Sequence, residues 1–141
     1  MSKVPSWLLT QTAAHAHRLV TDRLAEVNAR GYHLRLLATL DESGPASQAD
    51  LGRRTGIHFS DIVAALNELA EPGLIERAPD PDDRRRNVVT ITAAGRRHLR
   101  RLEKQVARIQ DELLAPLSSA ERDQLTDFLQ RLLAQRTNSK E

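Results

Sequence analysis

The sequence predicts a mainly α-helical fold with one small β-hairpin, because two hydrophobic periodicities follow each other along the chain. Apolar residues recur every three or four positions over most of the 141 residues, which indicates amphipathic helices. Residues 74–92 differ, with two runs that carry β-branched residues on either side of a loop rich in Pro, Asp and Arg. We expect one domain over residues 1–141, with a compact lobe at about 33–92 and helical segments at about 7–29 and 93–136.

Composition limits the class of protein. Hydrophobic residues make up 40% of the chain and charged residues 28%, which is typical of a globular protein. The chain has no cysteine, which excludes disulfides, thiolate metal sites and a cysteine nucleophile. It also has no long apolar run and no signal-peptide pattern, so we expect a cytoplasmic protein without a membrane partner. No nucleophile-base group, phosphate loop or metal motif is present, so the sequence predicts neither an enzyme nor a cofactor.

The pattern in the first half of the chain predicts three helices, which precede a fourth helix that the sequence defines best. The first extends from Trp7 to about Ala29, with Gly31 as its end. A short helix follows in which leucines point in all directions, and this pattern indicates burial. Ser47 precedes Asp50 by three residues, a spacing that resembles a capping box, and opens another short helix that ends at Gly56.

The next predicted helix begins after His58. Ile57 and Ile62 occupy the two positions of a hydrophobic staple, and Asp61 is an acid in the first turn, where it suits the helix dipole. The inward face of this helix carries apolar residues, whereas the first half of its outward face carries small residues. The residues predicted on the outward face are Ser60, Ala64, Asn67, Glu68 and Glu71.

A charged hairpin and two long helices complete the chain. The strands are predicted at 74–78 and 87–91, with Arg84, Arg85 and Arg86 in the loop between them. A helix then extends over about 93–115, and Ser118 with Glu121 forms a capping box for the last helix, which leaves a polar, frayed tail from 137. The first of these helices has a narrow apolar seam, which either packs only within its own chain or contacts a second chain. Its length and narrowness favour contact with a second chain, together with the first and last helices, and hence an obligate homodimer. The seam consists of Leu99, Leu102, Val106, Ile109 and Leu113.

Two short helices joined by a tight turn and followed by a hairpin make a winged helix-turn-helix. The chain here resembles the multiple-antibiotic-resistance regulator (MarR) family of transcription factors. The matching residues are 48–57, 62–69, 73–75 with Arg77, 83–85 followed after five residues by Ile91 and Thr92, and Gly95. The resemblance implies a winged helix-turn-helix with long N- and C-terminal dimerisation helices. It also implies a dimeric regulator of near-palindromic double-stranded DNA, a repressor that a small molecule releases.

The resemblance also implies roles for individual residues. In the family, the arginine that matches Arg85 enters the minor groove, and the acid that matches Asp83 helps to orient an arginine. This chain departs from many members at Asp61 and Ala64, and its recognition helix has no basic residue. We therefore expect the wing, and the arginines that precede the helix, to contribute more of the affinity for DNA. The predicted DNA-binding residues are Arg53, Arg54, His58, Ser60, Asp61, Ala64, Asn67, Arg77, Asp83, Arg84, Arg85 and Arg86.

Other candidate sites leave alternatives open. The resemblance implies an effector crevice for phenolic or anionic aromatic molecules, with His15, Arg18, Tyr32 and His33 as candidates, although ordinary surface or core roles fit them equally. The five histidines form no metal-ligand spacing, so no metal is predicted. Asp61 either accepts a hydrogen bond from a cytosine amine or only stabilises its helix. Arginines at 96, 97, 100 and 101 either follow phosphates or balance acids. The competing function is a winged-helix protein-interaction module without an operator or without an effector.

Overall fold

The computed structural model describes residues 1–138 and shows a helical chain with a small sheet. The described part contains the helices α1 (Pro5–Ala25), α2 (Gly31–Ser43), α3 (Gln48–Thr55), α4 (Phe59–Ala70), α5 (Ala93–Leu113) and α6 (Ser119–Asn138). Its strands are β1 (Ala46–Ser47), β2 (Ile75–Pro79) and β3 (Asn87–Ile91). The predicted fold class, mainly α with a hairpin, is confirmed. The predicted frayed tail is helical as far as Asn138, and its last three residues, 139–141, lie outside the described residues.

The chain divides into two compact units, Met1–Ile109 and Gln110–Glu141. The first unit contains α1 to α4, the sheet and most of α5, and the second contains α6. None of the described helices is apolar over a length sufficient to span a membrane.

The three strands form an antiparallel sheet in the order β1-β3-β2. Ile75 pairs with Ile91 at the base of the hairpin, and Pro79 pairs with Asn87 next to the loop. The two residues of β1 pair with the other edge of β3, where Ala46 lies opposite Val89. Sequence reasoning did not find β1, because two residues are too few to show a period of two.

The core of the first unit is built mainly from leucine and isoleucine side chains on α2, α3, α4 and α5. The helix α2 contributes three of them, so its predicted burial is confirmed. Full burial of one such side chain contributes roughly 1.5–3 kcal/mol. The most completely buried large residues are Leu24, Leu36, Leu37, Leu40, Leu51, Ile62, Leu66, Leu69, Ile75, Leu99, Leu102 and Ile109.

The first helix ends earlier than predicted. It stops at Ala25, and the carbonyl of Leu24 then accepts hydrogen bonds from the N–H groups of Val27 and Ala29 at 3.1 and 2.9 Å. Asn28 has a φ of 56°, a left-handed conformation that asparagine tolerates at helix ends. Gly31 therefore begins α2 instead of ending α1. Apolar residues continue across this turn, and the periodicity alone did not reveal it.

The predicted caps are confirmed. The hydroxyl of Ser47 accepts the N–H of Asp50 at 3.2 Å at the start of α3. In the second unit, the N–H of Ser118 donates to Glu121 Oε1 at 2.9 Å, and the N–H of Glu121 donates to Ser118 Oγ at 3.2 Å. These bonds satisfy N–H groups that the helices cannot pair internally.

Gly95 fixes the junction between the hairpin and α5. A Cβ atom at this position would lie 2.0 Å from the carbonyl oxygen of Leu74, so only glycine allows this approach. Thr92 strengthens the junction, because its hydroxyl donates to the carbonyl of Gly73 at 2.7 Å and accepts the N–H of Gly95 at 3.0 Å. The base of the wing is therefore firmly held.

The seam of α5 packs within its own chain. Leu99 and Leu102 are 0% exposed and Ile109 is 1% exposed inside the first unit, so they are not available to a second chain. The interpretation of these three residues as an intermolecular contact is therefore wrong. The length and narrowness of a seam do not determine whether the same chain or a second chain covers it.

Candidate nucleic-acid interface

The helix-turn-helix consists of α3, a turn at Gly56 and α4. Gly56 has φ 68° and ψ 11°, and its N–H donates to the carbonyl of Gly52 at 3.0 Å, which ends α3 in a left-handed turn. Ile57 and Ile62 are both buried on either side of the start of α4, as expected for a hydrophobic staple. The direction of α4 is therefore determined by local packing.

Besides Asp61 and Ala64, the exposed face of α4 contains two small polar residues and two apolar ones. Ser60 and Asn67 are exposed, as predicted. Phe59 is 66% exposed and Val63 is partly exposed, and sequence reasoning named neither. The available signal was that both lie off the inward stripe of the helix. His58 is exposed and caps the helix, since its Nδ1 accepts the N–H of Ser60 at 3.4 Å.

Asp61 and Ala64 were predicted with the DNA-binding residues, and the structure places them at a crevice. Both are exposed, and both line a cavity beside the first two helices. Asp61 also lies in the first turn of α4, where an acid is favourable. Their surroundings therefore associate them with the crevice as well as with the outer face of α4.

In the wing loop, Asp83 orients Arg85. The Oδ1 atom of Asp83 accepts the backbone N–H of Arg85 at 3.1 Å and its Nε–H at 3.3 Å. The Arg85 side chain is nevertheless 92% exposed, so its guanidinium projects into solvent. Arg84 beside it is also exposed. The wing thus presents a guanidinium whose direction is set before any ligand binds.

Arg86 differs from its two neighbours, because its Nη2 donates to the hydroxyl of Ser47 at 2.9 Å. This bond connects the wing loop to the start of α3. The pKa of the nearby Asp50 carboxyl is lowered, first by its hydrogen bond with Ser47 and then by the charges of Arg53, Arg86 and Arg54. Three of the predicted DNA-binding arginines therefore surround one carboxylate.

Arg77 brings a positive charge to α4 from the neighbouring strand. It lies on β2, and its Nη1 donates to Asn67 Oδ1 at 2.8 Å. The recognition helix has no basic residue of its own, so Arg77 supplies the guanidinium at the C-terminal half of its outer face. Arg54 and Arg53 are exposed on α3, and Arg53 forms an ion pair with Asp50.

Two of the arginines on α5 balance an acid on α2. Arg96 and Arg100 lie 3.4 and 3.3 Å from the carboxylate oxygens of Asp41, whose side chain is 20% exposed. Arg100 also pairs with Glu103 at 3.2 Å. Between the alternatives of phosphate contact and acid balance, this geometry favours acid balance for these two residues.

A crevice of about 990 Å³ lies within the first unit and is lined by α1, α2 and α4. Of the predicted effector residues, Tyr32 and His33 line it, whereas His15 and Arg18 are exposed on α1 outside the lining. The polar residues that line the crevice are His17, Thr21, Asn28, Arg30, Tyr32, His33, Arg35, Asp61 and Glu68. Sequence reasoning missed Arg30 and Arg35, because they become neighbours only when α1 and α2 pack on α4.

Inside the crevice, Glu68 of α4 binds two residues from the start of α2. Its carboxylate lies 2.6 Å from His33 Nε2 and 3.1 Å from Arg30 Nη1. The Arg30 N–H donates to His33 Nδ1 at 3.3 Å, so Nδ1 is an acceptor and Nε2 carries the proton that is donated to Glu68. Arg35 lies over the Tyr32 ring at 5.7 Å and donates to the carbonyl of Thr55 at 3.2 Å. The crevice is thus connected to both helices of the helix-turn-helix.

These features define a winged helix-turn-helix protein of the transcription-regulator class. A model of the MarR family matches residues 27–86. The chain belongs to the MarR family, which confirms the resemblance found in the sequence.

Comparison with individual proteins agrees with this assignment. A crystal structure of a probable transcriptional regulator from Pseudomonas aeruginosa is 31% identical, with 93% of this chain and 98% of that chain covered and a TM-score of 0.78. The PcaV regulator of Streptomyces coelicolor is 26% identical, with 96% and 99% covered and a TM-score of 0.81. PcaV has also been solved with its natural ligand.

A curated relative, the HTH-type transcriptional regulator YdgJ of Bacillus subtilis, is 32% identical over 70% of this chain. The chain spans 60% of the length of that relative. The names of these proteins describe transcriptional regulators and not enzymes.

Proposed function

We propose that this protein is a dimeric, sequence-specific DNA-binding repressor that a small-molecule effector releases from its operator. The observation that carries the proposal is the pair Asp83–Arg85, which holds an exposed guanidinium on the wing beside a recognition helix that has no basic residue. Guanidinium groups suit phosphates and a narrow minor groove, and a helix with small side chains fits the major groove.

Two identical chains are needed to recognise a near-palindromic operator, and the structure supports a homodimer through α6. No residue of this 20-residue helix is buried among those described, although its apolar residues recur at three- and four-residue spacing. An isolated helix with an uncovered apolar stripe is marginal in water, so we assign this stripe to a second copy of the chain. The stripe comprises Phe128, Leu129, Leu132 and Leu133, which are 37–63% exposed.

The start of α1 presents a second uncovered apolar surface. It consists of Val4, Trp7, Leu8 and Leu9, which are 37–44% exposed. Three of these residues lie within one turn of the helix. We therefore propose that both terminal regions, about 7–29 and 93–136, contribute to dimerisation. A two-fold dimer would place two α4 helices about one helical turn of DNA apart.

The effector is expected to bind in the crevice and to be a small anionic aromatic molecule. Arg30 and Arg35 supply guanidinium groups, Tyr32 supplies a ring, and the volume of about 990 Å³ is ample for such a molecule. Because Glu68 belongs to the recognition helix, an anion that binds Arg30 acts directly on the position of that helix. A ligand that changes the position of α4 would weaken operator binding.

Selection of bound sequences from a random DNA pool tests the DNA-binding part of the proposal. We expect an inverted repeat to be enriched, with affinity that falls steeply as salt rises. Absence of any enriched sequence at low salt would overturn the proposal.

Failure to enrich any DNA sequence would favour a second function, a protein-interaction module. The exposed Phe59 and the acidic end of α4 support this alternative. The selection therefore separates the two functions.

Addition of salicylate to the protein–operator complex tests the effector part. We expect salicylate to lower operator affinity for the wild-type protein, and Arg30→Ala to lose most of this effect because it removes the crevice cation. Arg18→Ala is the matched control, since Arg18 is an exposed arginine on α1 outside the crevice lining. Equal responses of both variants and the wild type would contradict a role for the crevice.

A further inference from the structure

Phe59 occupies an unusual position for a large apolar side chain. It is the first residue of α4 and is 66% exposed, whereas Ile62, Leu66 and Leu69 on the inward stripe are at most 1% exposed. Val63 lies one turn further on the same edge of the helix and is partly exposed. Single exposed apolar residues are common on protein surfaces, so the position of this pair, and not its exposure alone, carries the argument.

The pair lies at the part of the helix that reaches base edges. In helix-turn-helix proteins, the first residues of the second helix contact bases in the major groove. Positive charges on the neighbouring elements, Arg53 and Arg54 on α3 and Arg77 on β2, are suited to hold phosphates around this region. The start of α4 therefore carries no positive charge of its own to attract DNA, but arginines on the neighbouring elements surround it.

Two polar residues of the same face, Ser60 and Asn67, already have partners within the protein. Ser60 Oγ lies 2.9 Å from His58 Nδ1, and Asn67 Oδ1 accepts a hydrogen bond from Arg77 at 2.8 Å. Phe59 is exposed and Val63 is partly exposed, and their side chains cannot form hydrogen bonds. At this end of the helix they form an apolar surface beside the carboxylate of Asp61 that is available for contact with bases.

We propose that Phe59 and Val63 select thymine in each operator half-site by contact with its C5-methyl group. This methyl group is the apolar feature of the major groove that distinguishes a base pair, and phenylalanine is one of the side chains that contact it. The inference rests on the proposed function, sequence-specific DNA binding, and adds the base and the two residues that recognise it. It also explains how a recognition helix without a basic residue can discriminate between sequences.

The test uses the operator obtained from the random pool. Each thymine is replaced in turn by deoxyuridine, which removes only the C5-methyl group, and affinity is measured by fluorescence anisotropy at constant salt. We expect the affinity of the wild-type protein to fall about fourfold at the contacted positions, which corresponds to one buried methyl group, and to be unchanged elsewhere.

Variants assign the contact to its side chain. Phe59→Ala should bind the thymine operator more weakly and should no longer distinguish it from the deoxyuridine operator. Phe59→Leu, which keeps an apolar side chain, should retain part of the discrimination, and Val63→Ala should lose it at an adjacent position. Arg85→Ala is the control: its affinity should fall equally for both DNAs, because a wing arginine does not contact the methyl group. Phe59 is exposed, so its replacement should leave the circular dichroism spectrum unchanged.

Three results would overturn the inference. The first is an operator without thymine at the contacted positions, and the second is equal affinity of the wild type for thymine and deoxyuridine operators. The third is undiminished discrimination by Phe59→Ala. All three leave the proposed function intact, whereas failure to enrich any sequence would remove the proposed function itself.

Discussion

His33 and Glu68 are joined by a contact of 2.6 Å between Nε2 and Oε2, which connects the start of α2 to the recognition helix. His33 is 7% exposed, and its Nδ1 accepts the N–H of Arg30, so the ring orientation is set from both sides. Glu68 also binds the side chain of Arg30. The carboxylate of Glu68 therefore joins the recognition helix to Arg30 and His33 in the crevice.

Glu68→Gln should lower the free energy of unfolding by about 1 kcal/mol, because the amide keeps the shape of the side chain but loses the charge that binds Arg30. Urea denaturation followed by circular dichroism measures this change. Glu71→Gln is the matched control on an exposed residue of the same region and should change stability by less than about 0.5 kcal/mol. Equal effects of the two variants would show that the carboxylate does not stabilise the helix position.

The same Glu68→Gln variant should bind salicylate about fivefold more tightly, since loss of a surface-type ion pair of about 1 kcal/mol frees Arg30 for the added anion. Isothermal titration calorimetry provides the measurement. Unchanged or weaker binding would show that Glu68 and the anion do not compete for Arg30.

Arg85→Ala should weaken operator binding and reduce the slope of log affinity against log salt by about 0.9, the value for one lost phosphate contact. The reason is that Arg85 is exposed and is aligned by Asp83 before DNA binds. Lys3→Ala is a suitable control, because it removes an exposed positive charge at the other end of the chain. A variant with an unchanged salt slope would exclude Arg85 from the contact with DNA.

Leu132→Glu with Leu133→Glu should convert the proposed dimer to a monomer in sedimentation velocity, because two charges on the apolar stripe of α6 would have to lose their water at the interface. Gln130→Glu with Ala134→Glu adds the same charge to exposed positions on the opposite face of α6 and should leave the dimer intact. Dimers of both variants with equal dissociation constants would place the interface elsewhere.

His98 should make stability depend on pH. Burial lowers the pKa of His98, and the charge of Arg101 acts in the same direction. The unfolded chain therefore binds this proton more readily, so the free energy of unfolding should fall as pH falls below the ordinary histidine value of 6.5. His98→Asn should reduce this dependence between pH 7 and about 5, whereas His15→Asn on exposed α1 should not. If the free energy of unfolding of both variants depended on pH in the same way, His98 would not be the source of the pH dependence.

Local chemistry explains why much of the fold was predictable. The hydroxyl of Ser47 and the glycine at 56 determine where α3 begins and ends, and each acts on residues within four positions. The hairpin was predicted at 74–78 and 87–91 and lies at Ile75–Pro79 and Asn87–Ile91. Its proline and aspartate residues favour a loop whatever the rest of the chain does.

The candidate site was less predictable, because its contacts join distant parts of the chain. Arg86 belonged to a run of three similar arginines, but it alone donates to Ser47, 39 residues earlier. His33 and Glu68 are 35 residues apart, and no spacing rule relates them. The seam of α5 had the pattern of an intermolecular contact, yet Leu99, Leu102 and Ile109 are covered by the same chain.

By itself, the sequence determined the kinds and order of the elements except β1, the caps, the charged wing and the absence of a basic residue from the recognition helix. These properties depend on residue types and on neighbours a few positions away. Tertiary structure decided which arginines are exposed, which apolar surfaces stay uncovered and which carboxylate binds Arg30 and His33. These depend on side chains that meet only after the helices pack, and the sequence pattern does not contain their distances.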